Sequence, residues 1–140
     1  MKYIDSNVFI YSVVADERTE AKAALAKKIL IKIAEGDLKA ATSSLTWDEL
    51  VWTIRKIQGK DFAESEGRKF LKFPNLQILD VGKSTIDDSQ AIMENCSARP
   101  RDSIHAACAL ENGIKEIISD DSEFDKIKNI KRIKLEAVGF

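Results

Sequence analysis

Short apolar runs alternate with longer amphipathic stretches along most of the chain. Residues 1–4 read as a short strand, and 7–14 as a mostly apolar helix. Over 17–34 the apolar residues Ala21, Leu25, Ile29 and Ile33 recur near helical spacing, with Lys27, Lys28 and Lys32 between them. Gly36 follows where a helix would end. Residues 39–43 predict a second strand. Residues 46–57 predict a helix ended by Gly59, and 62–73 another stopped by Pro74. A strand over 76–81 leads to a helix over 84–96 capped by Ser84. The spacing then predicts a helix over 101–112 closed by Gly113, a strand over 116–119 and a short helix over 123–127. Residues 132–138 alternate as a last strand.

Strands that alternate with helices predict an α/β fold. Its sheet should be mainly parallel, of about four to five strands, and covered on both faces. No repeat, linker or low-complexity stretch divides the chain, so residues 1–140 are expected to form a single domain. With 44% hydrophobic residues among 140, the chain can bury a substantial core. The net charge of -1 gives no global basic field that would advertise nucleic-acid binding, although a local patch would still allow it. Cys96 and Cys108 are too few for a disulfide framework and form no C-x-x-C, so both are expected to be small buried thiols in a reducing compartment. The N-terminus lacks a secretion signal, and no apolar run approaches the ~18 residues that span a bilayer. A cytoplasmic protein with no membrane partner is expected.

Four acids stand where such a sheet gathers ligand-binding residues. Asp5 follows the first strand in Y-I-D-S-N. Glu49 sits in S-S-L-T-W-D-E-L, Asp102 in R-P-R-D-S-I-H-A-A, and Asp121 in I-I-S-D-D-S-E-F. In an open parallel sheet the strand carboxyl ends meet on one rim, where ligands bind. Carboxylates crowded there repel one another unless a cation lies among them. An all-oxygen acidic site suits Mg²⁺ or Mn²⁺ and most often handles phosphate.

Each acid also has a plainer use. Asp5 suits a helix N-cap, and Asn7 could cap the same turn or orient Asp5 from behind. Thr46-x-x-Glu49 fits a capping box, with Glu49 reaching back to the Thr46 N–H. Asp102 belongs to a first helical turn, which favours a carboxylate through the helix dipole. His105, three residues on, shares its face and is expected to support the site or the core rather than bind metal. Of the adjacent Asp120 and Asp121, one should face inward and the other outward.

These motifs, in this order and spacing, resemble those of the PIN-domain ribonucleases, most closely the VapC-type toxins of prokaryotic toxin–antitoxin pairs. The resemblance runs nearly end to end. Y-I-D-S-N-V-F-I-Y is similar to the family's opening, S-S-L-T-W-D-E-L to its second motif with Glu49 as the acid, and P-R-D-S-I-H-A-A-C-A-L to its third with Asp102. I-I-S-D-D-S-E-F-D is similar to its ending, with Ser119 in the polar position, Asp121 as the acid and Phe124 as the aromatic residue. Ser6 and Ser119 replace the more usual Thr but keep the hydroxyl, and Glu123 stands where Asp is commoner.

The resemblance implies a three-layer α/β/α domain and Mg²⁺- or Mn²⁺-dependent cleavage of single-stranded RNA or RNA loops. It also implies a homodimer and a small inhibitory antitoxin. Asp5, Asp102 and Asp121 would hold the ion directly or through water. Glu49 would be a further ligand or would orient the attacking water. Asn7, Ser119 and Asp120 are expected to stand behind these acids. RNA approaching an acidic pocket needs basic residues at the rim, for which Arg99, Arg101, Lys28 and Arg55 are candidates; such residues also fit ordinary solvated helix faces. Trp47 and Trp52, five apart on one helix, should point differently, one into the core and one toward a partner. Leu25, Ile29, Leu50 and Ile54 suit either the core or an antitoxin groove.

Two other readings stand beside this one. A haloacid-dehalogenase-type phosphatase also opens on a strand and an Asp, but its second Asp would fall on Asn7. A non-catalytic PIN-like RNA- or protein-binding module would be expected to have lost rim acids that are present here.

Overall fold

Each of the first three strands is followed by a pair of helices in the computed structural model, which describes residues 1–139. The strands are β1 (Lys2–Ile4), β2 (Ala40–Ser43), β3 (Leu76–Leu79), β4 (Glu116–Ile118) and β5 (Lys131–Ile133). The helices are α1 (Ser6–Val14), α2 (Ala21–Ala34), α3 (Ser44–Gln58), α4 (Lys60–Leu71), α5 (Lys83–Cys96) and α6 (Pro100–Glu111). Every strand pairing is parallel, in the order β3-β2-β1-β4-β5. The registers place Tyr3 beside both Ala41 and Ile117, and Ile4 beside Ile118.

Alternation along these short strands divides the core into two layers. Ile4, Ala40 and Ile118 face a cluster built with Val8 and Phe9 of α1, Ile29 and Ile33 of α2, Leu50 and Ile54 of α3 and Phe70 of α4. Tyr3, Ala41, Leu79 and Ile117 face the other way, onto Ala106, Cys108 and Ala109 of α6. Both faces are therefore buried, as parallel strands require, and three α/β/α layers result. Ile29, Leu50 and Ile54 belong to the core, and Leu25 packs partly buried against it.

Local chemistry sets the boundaries. Helices α3 and α4 meet through Gly59 alone, at φ +90, a conformation that a side chain would strain. Farther along, a Cβ on Gly67 would lie 2.9 Å from Val51 Cγ2 and 3.1 Å from Trp47 Nε1, so a bare backbone lets these helices close. Trp47 packs there while staying 41% exposed, and Trp52 is 55% exposed; neither tryptophan is the core residue expected of one of them.

Three expectations need correction. The region before α2 is a turn rather than helix, because the Asp16 carboxylate accepts the Arg18 N–H and the Asp16 carbonyl accepts those of Thr19 and Glu20. Ser84 does not cap α5. Gly82 is the cap residue, its N–H donates to Thr85 Oγ1, and Ser84 bonds Glu111 instead. The last strand stops at Ile133, and a 3₁₀ turn, Leu135–Ala137, buries Leu135. Its only described neighbour, β4, ends at Ile118, so alternation past Ile133 finds no ladder to join.

The two cysteines also part company. Cys108 is fully buried, and burial, then Glu111 and Asp80, push its thiol up to about 11, whereas Cys96 is half-buried at the end of α5. Iodoacetamide at pH 8 should therefore alkylate Cys96 alone in the native protein and both thiols in urea, as read by peptide mass. Equal labelling of both without denaturant would contradict the packing described.

Candidate active site

The sheet order reverses at its centre. From β1 the chain steps outward through β2 to β3, then returns to place β4 and β5 on the opposite side. The carboxyl ends of β1 and β4 thus flank a switch point, where open α/β sheets bind ligands. Asp5 leaves β1 there. It is 5% exposed and caps α1, with Oδ1 accepting the Ser6 N–H at 2.7 Å. Its Oδ2 accepts the Ser119 hydroxyl at 2.6 Å.

Ser119 ties the two strand ends together. Its fully buried oxygen donates to Asp5 and accepts the Asp121 N–H at 2.9 Å and Asn7 Nδ2 at 3.2 Å. One donor and two acceptor positions are filled, the full capacity of a hydroxyl. Asn7 Oδ1 is buried without a hydrogen-bond partner. Asp121 faces the acid cleft, whereas Asp120 turns away, its Oδ2 accepting from Tyr11 Oη at 3.1 Å and Lys22 Nζ at 2.6 Å.

Glu49 reaches the same rim from α3, but not through a capping box. The helix starts at Ser44, with Ser43 as its cap residue, so Glu49 lies in the second turn. Thr46 bonds Thr42 at 2.7 Å, and Thr42 donates to the Ile4 carbonyl. Glu49 instead bonds His105 Nε2. The His105 ring, 1% exposed, stands 3.6 Å from Asp5 and meets the Tyr3 hydroxyl through Nδ1 at 2.6 Å. Tyr3 in turn donates to Ser43 at 2.8 Å. With the phenol hydrogen on Ser43, both imidazole nitrogens are placed to donate, an arrangement that favours the charged imidazolium. Burial opposes that charge, but the Glu49 bond and the nearby Asp5, Glu49 and Asp102 outweigh it and raise the His105 pKa.

Asp102 enters from α6, where Pro100 takes the first helical position and Asp102 lies in the first turn. Burial raises its carboxyl above the ordinary range, the Arg99 hydrogen bond lowers it, and the nearby Asp121 and Asp5 raise it again. Asp5 is raised by burial first, against lowering by His105 and Ser119. Arg99 Nε donates to Asp102 Oδ2 at 3.0 Å, and its Nη2 donates to Asp121 Oδ2. An open cleft of about 650 Å³ is lined by Glu49, Arg99, Pro100, Arg101, Asp102 and Asp121. Lys28 and Arg55 are not among its lining residues.

The acids are thus gathered in two pairs, each bridged by a cation of the protein itself. His105 serves Asp5 and Glu49, and Arg99 serves Asp102 and Asp121. In this paired arrangement no three His, Cys, Asp or Glu residues among those described converge as metal ligands. The donor set nevertheless fits a hard divalent ion. Four carboxylates come together with only His105 and Arg99 bonded among them, every free donor is oxygen, and the orphaned Asn7 Oδ1 is available to a water. Asp5, Asp102, Asp121 and Glu49 are the residues that could hold such an ion. The His105 and Arg99 bridges are the part that sequence reasoning missed, although the spacings Arg99–Asp102 and Asp102–His105, three residues each, were visible signals.

A model of the PIN domain family matches residues 2–130. No curated protein sequence matches the chain significantly. Among solved structures, VapC20 of Mycobacterium tuberculosis, described as a sarcin-ricin loop cleaving toxin, aligns with TM-score 0.73 at 12% identity, over 89% of this chain and 93% of that one. DNA-bound VapBC from Salmonella typhimurium aligns with TM-score 0.72 at 18% identity, over 96% and 98%. A toxin–antitoxin complex from Klebsiella pneumoniae aligns with TM-score 0.65 at 19% identity, over 94% and 96%. At these identities the likeness is one of fold.

The Ser119 knot has a consequence for stability. Ser119→Ala should leave Asp5 Oδ2 and the Asp121 N–H short of a partner and cost about 1–3 kcal/mol, measured by urea denaturation in EDTA. An unchanged midpoint would mean that the hydroxyl does not hold the strand ends together.

Proposed function

The chain belongs to the PIN domain family, a family of nucleases, and from that premise we propose that it is a Mg²⁺- or Mn²⁺-dependent endoribonuclease, the toxin of a VapBC-type toxin–antitoxin pair. The observation that carries this reading is the gathering of Glu49, Asp102 and Asp121 on one cleft, with the buried Asp5 tied to Ser119 behind it and beside His105. A metal ion bound by these acids would acidify a water and neutralise charge on the scissile phosphate. Ser119 and the Ser6 N–H fix both oxygens of Asp5. His105 holds one oxygen of Glu49 and leaves the carboxylate beside the cleft, placed to orient the attacking water. Arg99 and Arg101 line the cleft, where a phosphate backbone would meet them.

Partners follow from the same reading. The likeness of this chain to VapC20, described as a sarcin-ricin loop cleaving toxin, supports an RNA loop as substrate. Neighbours described as toxin–antitoxin complexes support an antitoxin. A groove of about 580 Å³ between α1, α2 and α4, with Val13, Leu30, Ile31, Phe62 and Phe73 in its lining, is the apolar surface such a partner would cover. Exposed Trp47, Trp52 and Leu71 on α3 and α4 suit a homodimer contact. No helix among the described residues is long and apolar enough to cross a membrane, and the reading places the protein in the cytoplasm.

The test is cleavage of a panel of structured and unstructured RNAs with Mn²⁺ or with EDTA. Asp5→Asn, Asp102→Asn and Asp121→Asn should each lose at least ~100-fold in rate, whereas Asp120→Asn, whose side chain faces α1 and α2, should cut like wild type. Cutting that survives EDTA and Asp102→Asn would refute the assignment. Specific RNA binding without any cutting would favour a non-catalytic module.

A further inference from the structure

The two internal cations of the acid cluster differ in their freedom to leave. His105 is 1% exposed and is bonded on its far side to Tyr3, so it is fixed. Arg99 is anchored only at its base, where the backbone enters α6 ahead of Pro100. Its side chain is 59% exposed at the mouth of the cleft. From there it reaches two carboxylates that come from different elements: Asp102 in the first turn of α6 and Asp121 beyond the end of β4.

A guanidinium does not lose its proton at physiological pH. It therefore cannot share these oxygens with a second cation by neutralising itself. A divalent ion can take Asp102 Oδ2 and Asp121 Oδ2 only if the guanidinium withdraws from them. The exposure of the guanidinium gives it somewhere to go even though Asp102 is buried, because water can solvate the arginine as it leaves. Asp121 Oδ1 meanwhile stays engaged by the Glu123 N–H at 3.0 Å, and the Asp121 N–H by Ser119, so the carboxylate keeps its place when the arginine leaves.

We propose that Arg99 is a displaceable counter-ion, which holds Asp102 and Asp121 together before a divalent ion arrives and gives way to that ion at the same oxygens. The inference rests on the metal-dependent reading of the site and concerns metal entry rather than the cutting step. In this role Arg99 is a positioning residue that acts through two carboxylates. It sets the metal concentration at which the site fills, because every ion bound must first displace the arginine.

The experiment is Mn²⁺ binding without RNA, followed by the electron paramagnetic resonance signal of the free ion, for wild type, R99Q and R99K. The side chain is exposed, so both variants should fold, which circular dichroism checks. R99Q should bind Mn²⁺ about three- to tenfold more tightly than wild type, the scale of losing an exposed guanidinium as the competitor, and R99K should fall between them. In parallel, the Arg99 Nε–H resonance of ¹⁵N-labelled wild type should be distinct in EDTA and should move when Mg²⁺ saturates the site. Equal or weaker Mn²⁺ binding by R99Q would overturn the proposal and make Arg99 a fixed tie that shapes the site. An Arg99 resonance unmoved by saturating Mg²⁺ would overturn it too. If wild type and R99Q both fail to bind Mn²⁺, the metal-dependent reading falls together with this one.

Discussion

Parallel pairing of β1 with β4 is the constraint on which the site depends. These strands are separated by more than a hundred residues, yet Ile4 lies beside Ile118 and the Asp5 N–H donates to the Ile118 carbonyl at 3.0 Å. That contact places the first residue after β1 next to the first residue after β4. The Asp5–Ser119 hydrogen bond then becomes possible, and Ser119 passes the constraint on to Asp121 through its backbone N–H. Arg132 of β5 adds a bond from Nη1 to the Ser119 carbonyl, so the neighbouring strand braces the same residue. The apolar contacts of Ile4, Ile118, Tyr3 and Ile117 on both faces of the sheet keep this pairing in register.

Concentrating acids at one rim creates a folding problem before it creates chemistry. Buried carboxylates of like charge raise one another's pKa and oppose the compact state. Here the opposition is met locally, by a buried imidazole between Asp5 and Glu49 and by a guanidinium between Asp102 and Asp121. Tyr3 has a part in both fold and site. Its ring is a fully buried member of the sheet's inner layer, and its hydroxyl fixes His105 edge-on at a centroid separation of 5.6 Å. The same side chain thus joins hydrophobic packing to the electrostatics of the rim.

Apolar surface is distributed unevenly around this centre. The face of α6 against the sheet is built from alanines and Cys108, which allows close helix–sheet packing beneath Asp102 and His105. The α3–α4 hairpin instead leaves Trp52, Ile57 and Leu71 more than half exposed, although its inner face is in the core. A small residue at Gly67 lets the hairpin close, so its outer apolar surface is not the result of poor packing between the two helices.

The sequence by itself determined the α/β class, the order of elements and the four acids as candidates, although only Asp5 and Asp121 stand just beyond strands, Asp102 opening α6 after another helix and Glu49 lying in the second turn of α3. It could do so because parallel strands buried on both faces read as short apolar runs, and because helix entry needs Asp, Ser or Pro at particular positions. It also carried the inward–outward split of Asp120 and Asp121, since adjacent side chains cannot face one way. Where local rules compete it misled. Thr46-x-x-Glu49 has the form of a capping box, but α3 starts at Ser44, and Glu49 finds His105 instead. Residues 132–138 alternate like a strand, but the neighbour that would extend the ladder ends at Ile118. Which residues bridge the acids was decided only by tertiary structure. His105 meets Tyr3 and Glu49 across separations of 102 and 56 residues, and Arg99 meets Asp121 across 22. Local spacing fixes the face on which a side chain stands; what stands opposite is set by the sheet order that folds β4 against β1.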